Sequence, residues 1–403
     1  MEASGNGSRG ALGKLRVLDL SRVLAGPLCA MILGDMGADV LKVEQPGRGD
    51  DTRSWGPPFQ GTEAAYFLGV NRNKRGITLN LKEQRGREIL RELIKKSDVV
   101  IENFKFGTME EWGCGREFME KEAPQVIHCT ISGYGSRGPR GAQPGYDFLL
   151  QAETGLMSIS GEKDGDPMKV GVAIVDLCTG LYATIAILGA LNARHHGCPG
   201  QHVEASLYTT GLSLLANVAS NVLISGKPAG RYGNGHPNIV PYRSFRCRDA
   251  DMALAVGNDG QFAQFAAVAG HAEWATDPRF VRNRDRVVNR AIIEKLVEET
   301  LICRTADEWI EALLAVGVPC GRINTVQEAL AAAQTAATNM VIDVQHPTAG
   351  LFHSLGIPFT FSATPPAVRC PPPVLGESTD VVLREVLGFS EAQIESLRSA
   401  GVV

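Results

Sequence analysis

The stretch from Leu15 to Glu44 constrains the fold of this chain more than any other. Leu15-Arg16-Val17-Leu18-Asp19-Leu20 reads as a buried strand. A break follows at Ala25-Gly26-Pro27, where the proline is placed to open a helix at its first position. Leu28, Met31, Ile32 and Leu33 give that helix an apolar body, it ends near Gly37, and Asp39-Val40-Leu41-Lys42-Val43 forms the next strand. Strand, helix, strand in that order is a βαβ unit, the start of an open parallel sheet. An amphipathic helix from Lys82 to Ser97 carries Ile89, Leu90, Leu93 and Ile94 on one face. Further strands are expected at Val99-Val100-Ile101 and from Val126 to Ile131. The expected fold class is α/β, with a doubly wound large domain followed by a smaller α+β domain.

Two long apolar helices, Leu177 to Arg194 and Tyr208 to Ile224, come next, and the Gly-, Pro- and Asn-rich stretch after them reads as a linker. Thr305 with Glu308, and Thr325 with Glu328, have the spacing of helix-opening capping boxes. The prolines at 365–366 and 371–373 predict an extended tail, with a short helix beginning at Ser390. The domain boundaries that result are a flexible segment over 1–13, a large domain over 14–224, a linker over 225–241, a small domain over 242–324, and a C-terminal segment over 325–403 that returns to the large domain. At about 150 residues per domain, 403 residues suit such a division. The small, Gly-rich residues at 1–13 read as a trimmed end that leaves the native location open.

Composition excludes several classes. A formal charge of −4 argues against nucleic acid as the main partner. No apolar run approaches the ~20 residues of a membrane span, so a soluble protein with no membrane partner is expected. Nine cysteines without a CxxC pair read as free thiols, and none of the eight histidines is spaced as a metal ligand set. The 45 glycines, well above the usual ~7%, point to tight turns or to backbone that a ligand approaches closely.

The first βα turn, Ser21 to Pro27, has one glycine where a dinucleotide fingerprint needs three, although Glu44 ends the second strand as a ribose-binding acid would. No P-loop and no HExxH motif is present. Asp176 stands between an apolar run and an apolar helix. It reads as a helix N-cap, and equally as a poorly hydrated carboxylate able to attack an activated acyl group. Gly257-Asn258-Asp259-Gly260-Gln261 is an ordinary turn or a loop whose amides converge on an oxyanion. Asn71-Arg72-Asn73-Lys74-Arg75-Gly76 is a solvated charge run or a site for phosphates or a carboxylate.

In this order and spacing the pieces resemble the class III (CaiB/BaiF-type) CoA-transferases, from Leu15 to Leu387. The matching stretches include Asp19-Leu20-Ser21-Arg22, Ala25-Gly26-Pro27, Gly37-Ala38-Asp39-Val40, Asn71 to Arg75, Glu102-Asn103-Phe104, Ser132-Gly133-Tyr134-Gly135, Gly145-Tyr146-Asp147, Asp176, Gly235-His236-Pro237, Gly317 to Gly321 and Leu375-Gly376-Glu377. The resemblance implies a Rossmann-like large domain and a homodimer of interlocked rings. It implies transfer of CoA from succinyl-CoA to a dicarboxylic acid such as glutarate, in the mitochondrial matrix, behind a transit peptide. Coenzyme A thioesters would be substrates, with no permanently bound cofactor and no metal.

By position, Asp176 would be the nucleophile, forming acyl-aspartyl anhydrides and an aspartyl-CoA thioester, with Gly257, Gly260 and Gln261 serving the oxyanion. CoA would be held by Leu24, Ala25, Gln45, Leu79, Lys82, Asn103, Phe104, Lys105, Gly133, Tyr134 and Gly135, and the diacid by Arg72 and Tyr146. Relatives carry arginine where this chain has Gln45 and Glu111, so phosphate recognition would shift to Arg72, Lys74, Arg75, Lys82 or Lys105. The loop at 257–261 departs from the nearly all-glycine segment of the formyl-CoA transferases. An acyl-CoA racemase of the same superfamily is the main alternative, but Tyr146 stands where that reaction needs a histidine base. A CoA-transferase with another carboxylate acceptor and a catalytically idle CoA-binding protein are the others.

Overall fold

The computed structural model describes residues 10–141 and 143–403. The expected flexible segment over 1–13 therefore falls mostly outside the described residues. Gly10 to Gly13 form a turn, and the Leu12 amide donates to the Met36 carbonyl. The chain divides into two compact units, one of residues 1–155, 170–214 and 334–403, the other of 156–169 and 215–333. The second unit thus begins earlier and ends later than the stretch expected for the small domain.

The first unit is built on a six-stranded sheet. Its strands are β1 (Arg16–Asp19), β2 (Asp39–Glu44), β3 (Lys74–Thr78), β4 (Val99–Glu102), β5 (Ile127–Ser132) and β6 (His202–Ser206). They lie in the order β3-β2-β1-β4-β5-β6, and every neighbouring pair is parallel. This is a doubly wound order whose direction reverses between β1 and β4, where ligands of open α/β sheets bind. The helices that matter to the site are α1 (Ala25–Asp35), α2 (Ala65–Val70), α3 (Gln84–Lys95), α4 (Asp147–Glu153) and α5 (Ile174–His195). Ile89, Leu90, Leu93 and Ile94 of α3 are buried against the sheet and the C-terminal helices. Each such side chain contributes roughly 1.5–3 kcal/mol.

Several local expectations are corrected. α1 begins at Ala25, so Pro27 is its third residue; Pro lacks an amide hydrogen, and the third amide of a helix needs no intrahelical partner either. The single helix expected over 208–224 is two, Leu207–Ser213 and Ala216–Ser225, interrupted where Ala216 takes a φ of +44°. The proline stretch at 365–373 carries neither helix nor strand, as expected, while upstream of it Val341–His346 and Gly350–Leu355 pair as an antiparallel hairpin not expected from the sequence. α5, at 22 residues, is long and apolar enough to cross a membrane by length and composition, against the expectation of no such run. Its buried residues pack chiefly on α1, while Leu181, Tyr182 and Ile185 are exposed.

The second unit has a three-stranded antiparallel sheet of Tyr242–Arg246, Asp251–Ala255 and Cys320–Arg322. Phe245, Phe262, Phe265, Trp309 and Leu313 fill its core. Both capping boxes form, and so does a third at Ser390 in the first unit.

Candidate active site

At the switch point the loop after β1 meets the loop after β4. The Asn103 side chain ties them together: its Oδ1 accepts from the Arg22 amide at 2.9 Å and its Nδ2 donates to the Arg22 carbonyl at 2.7 Å. Next in the loop, Val23 holds a φ of +74°, a strained position for a β-branched residue. Its amide points to the Asp50 carboxylate at 3.3 Å.

A buried ionic network holds this loop where glycines would shape a dinucleotide site. Lys42 Nζ donates to Asp50 at 3.0 Å and to the Ser21 carbonyl at 3.1 Å. Lys74 Nζ donates to Asp19 at 2.8 Å, and to the Pro27 carbonyl and Asn71 Oδ1 at 2.9 Å. Burial pushes the Asp19 carboxyl up, but Lys74 and Lys42 outweigh it and hold the group below its ordinary value. The network rigidifies the loop because breaking any one pair would strand a charge in a dry interior.

Asp176 is the third residue of α5, not its cap. The cap position is Ala173, which has no side-chain acceptor. Asp147 Oδ1 fills that role from α4, accepting from the amides of Val175 at 2.8 Å and Asp176 at 3.2 Å. One turn further along α5, a Cβ on Gly180 would come within 2.6 Å of the Ala25 carbonyl. Only glycine lets α5 approach the start of α1 so closely, and that approach places Asp176 beside the switch-point loop. Burial, and then the Asp147 carboxylate, push the Asp176 carboxyl up to about 7. The half-buried Tyr66 of α2 faces the same acids, and burial together with Asp176, Asp147 and Asp50 pushes its phenol up to about 12.

A cleft of about 1390 Å³, lined wholly by the first unit, gathers much of the expected site. Leu24, Ala25, Asn103, Phe104, Lys105, Gly133, Tyr134, Gly135, Tyr146 and Asp176 all line it. Gln45 and Lys82 are exposed outside it, and Leu79 is a core residue with 2% exposure. The cation cluster is corrected outright. Arg72 is buried and bound bidentately to Asp35 at 2.9 and 2.7 Å, with a third bond to the Leu355 carbonyl at 2.7 Å. Lys74 is sealed in the ionic network, and Arg75 is paired with Asp39 and Glu385. None of the three can receive a substrate without giving up its partners.

Sequence reasoning passed over Arg137, which lines the cleft just after Gly135 and, with Lys105, makes no ion pair among the described residues. Its position in the basic stretch Arg137-Gly138-Pro139-Arg140 was the available signal. Tyr66 and Val23 carried none, since their roles depend on neighbours distant in sequence.

Gly257, Gly260 and Gln261 belong to the second unit. Neither glycine nor Asn258 has a positive φ, so the segment is not a loop of left-handed residues. Asn258 caps a helix, Asp259–Val268, by accepting from the Gln261 amide at 2.9 Å, and the Gly257 amide donates to Gln261 Oε1 at 2.8 Å. The amides of Asp259 and Gly260, in the first turn, have no acceptor among the described residues. An oxyanion would meet a helix N-terminus there, not a flexible nest.

A sequence model described as CoA-transferase family III matches residues 12–379. The succinyl-CoA:glutarate CoA-transferase of Mus musculus is 41% identical over 389 residues, covering 96% of this chain and 89% of its own length. The succinate–glutarate CoA-transferase of Agrobacterium fabrum is 39% identical over 381 residues, covering 93% and 95%. The crystal structure of a CAIB/BAIF family protein from Brucella suis matches with a TM-score of 0.82 and 42% identity, covering 94% of this chain and 100% of that one. A parallel sheet without a glycine fingerprint, an acid at the mouth of an apolar helix and likeness along nearly the whole length agree, and the chain belongs to CoA-transferase family III.

Proposed function

We propose that the enzyme moves CoA from succinyl-CoA to a dicarboxylic acid such as glutarate, with Asp176 as nucleophile. The observation that carries this reading is the placement of Asp176: a single acid at the first turn of α5, lining the switch-point cleft and pushed up to about 7 by burial and Asp147. The donor and acceptor classes rest on the names of the relatives.

The steps balance without ATP. The Asp176 carboxylate attacks the thioester carbonyl, the C–S bond breaks, and CoA thiolate leaves an acyl-aspartyl anhydride. The thiolate then attacks the Asp176 carbonyl carbon, releasing the donor carboxylate and leaving an aspartyl-CoA thioester. An incoming carboxylate repeats these two steps in reverse order. One thioester is exchanged for another, so the overall reaction is nearly thermoneutral.

Lys105 and Arg137 are the cations of the cleft free to meet phosphates or a distal carboxylate. The exposed apolar side of α5 supports a homodimer, which we extend to the interlocked arrangement and which sedimentation would check. A mitochondrial location belongs to the same proposal, resting on the mammalian relatives, and cell fractionation tests it.

The decisive experiment offers succinyl-CoA with a panel of free mono- and dicarboxylic acids and records which acyl-CoA forms. Glutaryl-CoA should accumulate and monoacid thioesters should not. Equal use of acetate and glutarate would overturn the diacid assignment.

The raised Asp176 carboxyl also sets a pH dependence. Only the carboxylate is nucleophilic, so kcat/KM should rise about tenfold per pH unit below 7 and level off above it. A flat profile from pH 5 to 8 would show that Asp176 ionises well below 7 in the working enzyme.

A further inference from the structure

We infer that Asp147 is the positioning residue of the transferase centre: held by Gln151, it clamps the first turn of α5 and thereby presents Asp176 to the cleft. The inference rests on Asp176 being the nucleophile, as proposed above. Asp147 is itself buried at the start of α4. One of its oxygens takes the amides of Val175 and Asp176, and the other accepts from Gln151 Nε2 at 2.7 Å. Gln151, fully buried, also accepts from the Val170 amide at 2.8 Å and donates to the Val172 carbonyl at 3.3 Å. The segment leading into α5 and the turn that carries Asp176 therefore hang on one Asp–Gln pair.

Capping alone does not explain an acid at this position. An asparagine or serine would cap as well without repelling Asp176. A carboxylate here opposes the ionised Asp176 of the resting enzyme. It does not oppose the acyl-aspartyl anhydride or the aspartyl-CoA thioester, in which Asp176 is neutral. Asp147 thus favours the covalent forms over the free carboxylate and raises the basicity of the attacking oxygen. Among the described residues, the titratable groups facing Asp176 are Asp147 from α4 and Tyr66 from α2. α1 brings only Cys29, which contacts Thr184, and Asp35, which is bound to Arg72.

The test compares Asp147→Asn, Asp147→Ala and Asp176→Ala in the full-length enzyme. Intact mass after incubation with succinyl-CoA gives the fraction loaded with CoA, and steady-state rates from pH 5 to 9 give the profile. Asp147→Asn keeps an acceptor for the α5 amides but loses the charge and the Gln151 contact. It should move the acidic limb down by roughly half a unit to one unit, and lower the loaded fraction about three- to tenfold. Asp147→Ala should lose about 10- to 100-fold in kcat with little change in KM, since the nucleophile is no longer held in place. If both variants lose melting temperature alone, with wild-type kcat, acidic limb and loaded fraction, Asp147 is merely structural and the inference fails. If Asp176→Ala still becomes loaded with CoA, the nucleophile assignment is what fails.

Discussion

Asp176→Asn should remove turnover, by about 10⁴-fold or more, and at the same time make the folded enzyme more stable above neutral pH. The first effect follows from the proposed role of Asp176 as the group that carries the acyl chain and then CoA. The second follows from linkage. In the unfolded chain this carboxyl ionises near 3.8, and in the folded enzyme burial and Asp147 raise it to about 7. Between those values the unfolded chain releases a proton that the folded enzyme keeps, so ionisation costs the fold increasingly as pH rises to 7. Above 7 the cost is complete, up to about 4 kcal/mol at 1.36 kcal/mol per pK unit, less what residual solvent around the half-buried group recovers. Asparagine does not ionise and escapes that cost. Melting curves of enzyme and variant should therefore coincide near pH 4 and separate above pH 7, the variant melting higher. Equal melting at pH 8 would contradict the raised carboxyl, and retained exchange would contradict the nucleophile. A cap loss, which the sequence suggested for this substitution, is not expected, because Asp147 supplies the acceptor.

Arg72→Ala should destabilise the protein by about 3–5 kcal/mol and leave selectivity between acceptor acids unchanged. As an exposed arginine in a basic run, Arg72 would be the natural anchor for a distal carboxylate. In the fold its guanidinium lies against Asp35, which also accepts from Asn73 Nδ2 at 2.7 Å. Removing it leaves a buried carboxylate with one neutral donor and frees the Leu355 carbonyl. Denaturant titration gives the stability change, and the ratio of glutaryl-CoA to acetyl-CoA formed gives the selectivity. A variant of wild-type stability with altered selectivity would return Arg72 to the substrate.

Four strands of the parallel sheet, β1, β2, β4 and β5, were legible because they are short apolar runs. Val17, Leu18, Val40, Leu41, Val99 and Val100 have nowhere to go except between two layers. β3 (Lys74–Thr78) and β6 (His202–Ser206) were not legible, because charged and polar residues break their apolar pattern. The capping boxes at Thr305 and Thr325, and the helix start at Ser390, were legible because they are local chemistry. The hairpin at 341–355 was not legible because its outward positions carry the apolar Val341, Leu351 and Leu355, so its regular alternation of burial is not matched by an apolar–polar alternation in the sequence. The division of the chain was only coarsely legible, since the second unit takes in Leu156–Lys169 from the middle of the large domain. The glycines also had a less visible role than turns. Gly133 lies against Gly145, where a Cβ would come within 2.5 Å of the Gly145 amide nitrogen, so backbone meets backbone beside the cleft.

The amino-acid order alone determined four of the six strands of the sheet, the apolar helix and the single acid at its mouth, because periodicity and an unusual neighbour are local properties. It could not determine what that acid touches. Whether Lys74 and Arg72 bind substrate or seal the interior depends on where Asp19 and Asp35 fall, many residues away along the chain. Whether Asp176 caps its helix or is freed from capping depends on Asp147 arriving from α4. Charge pairing and helix capping act over a few ångströms in space, and only the tertiary structure brings those groups within that range.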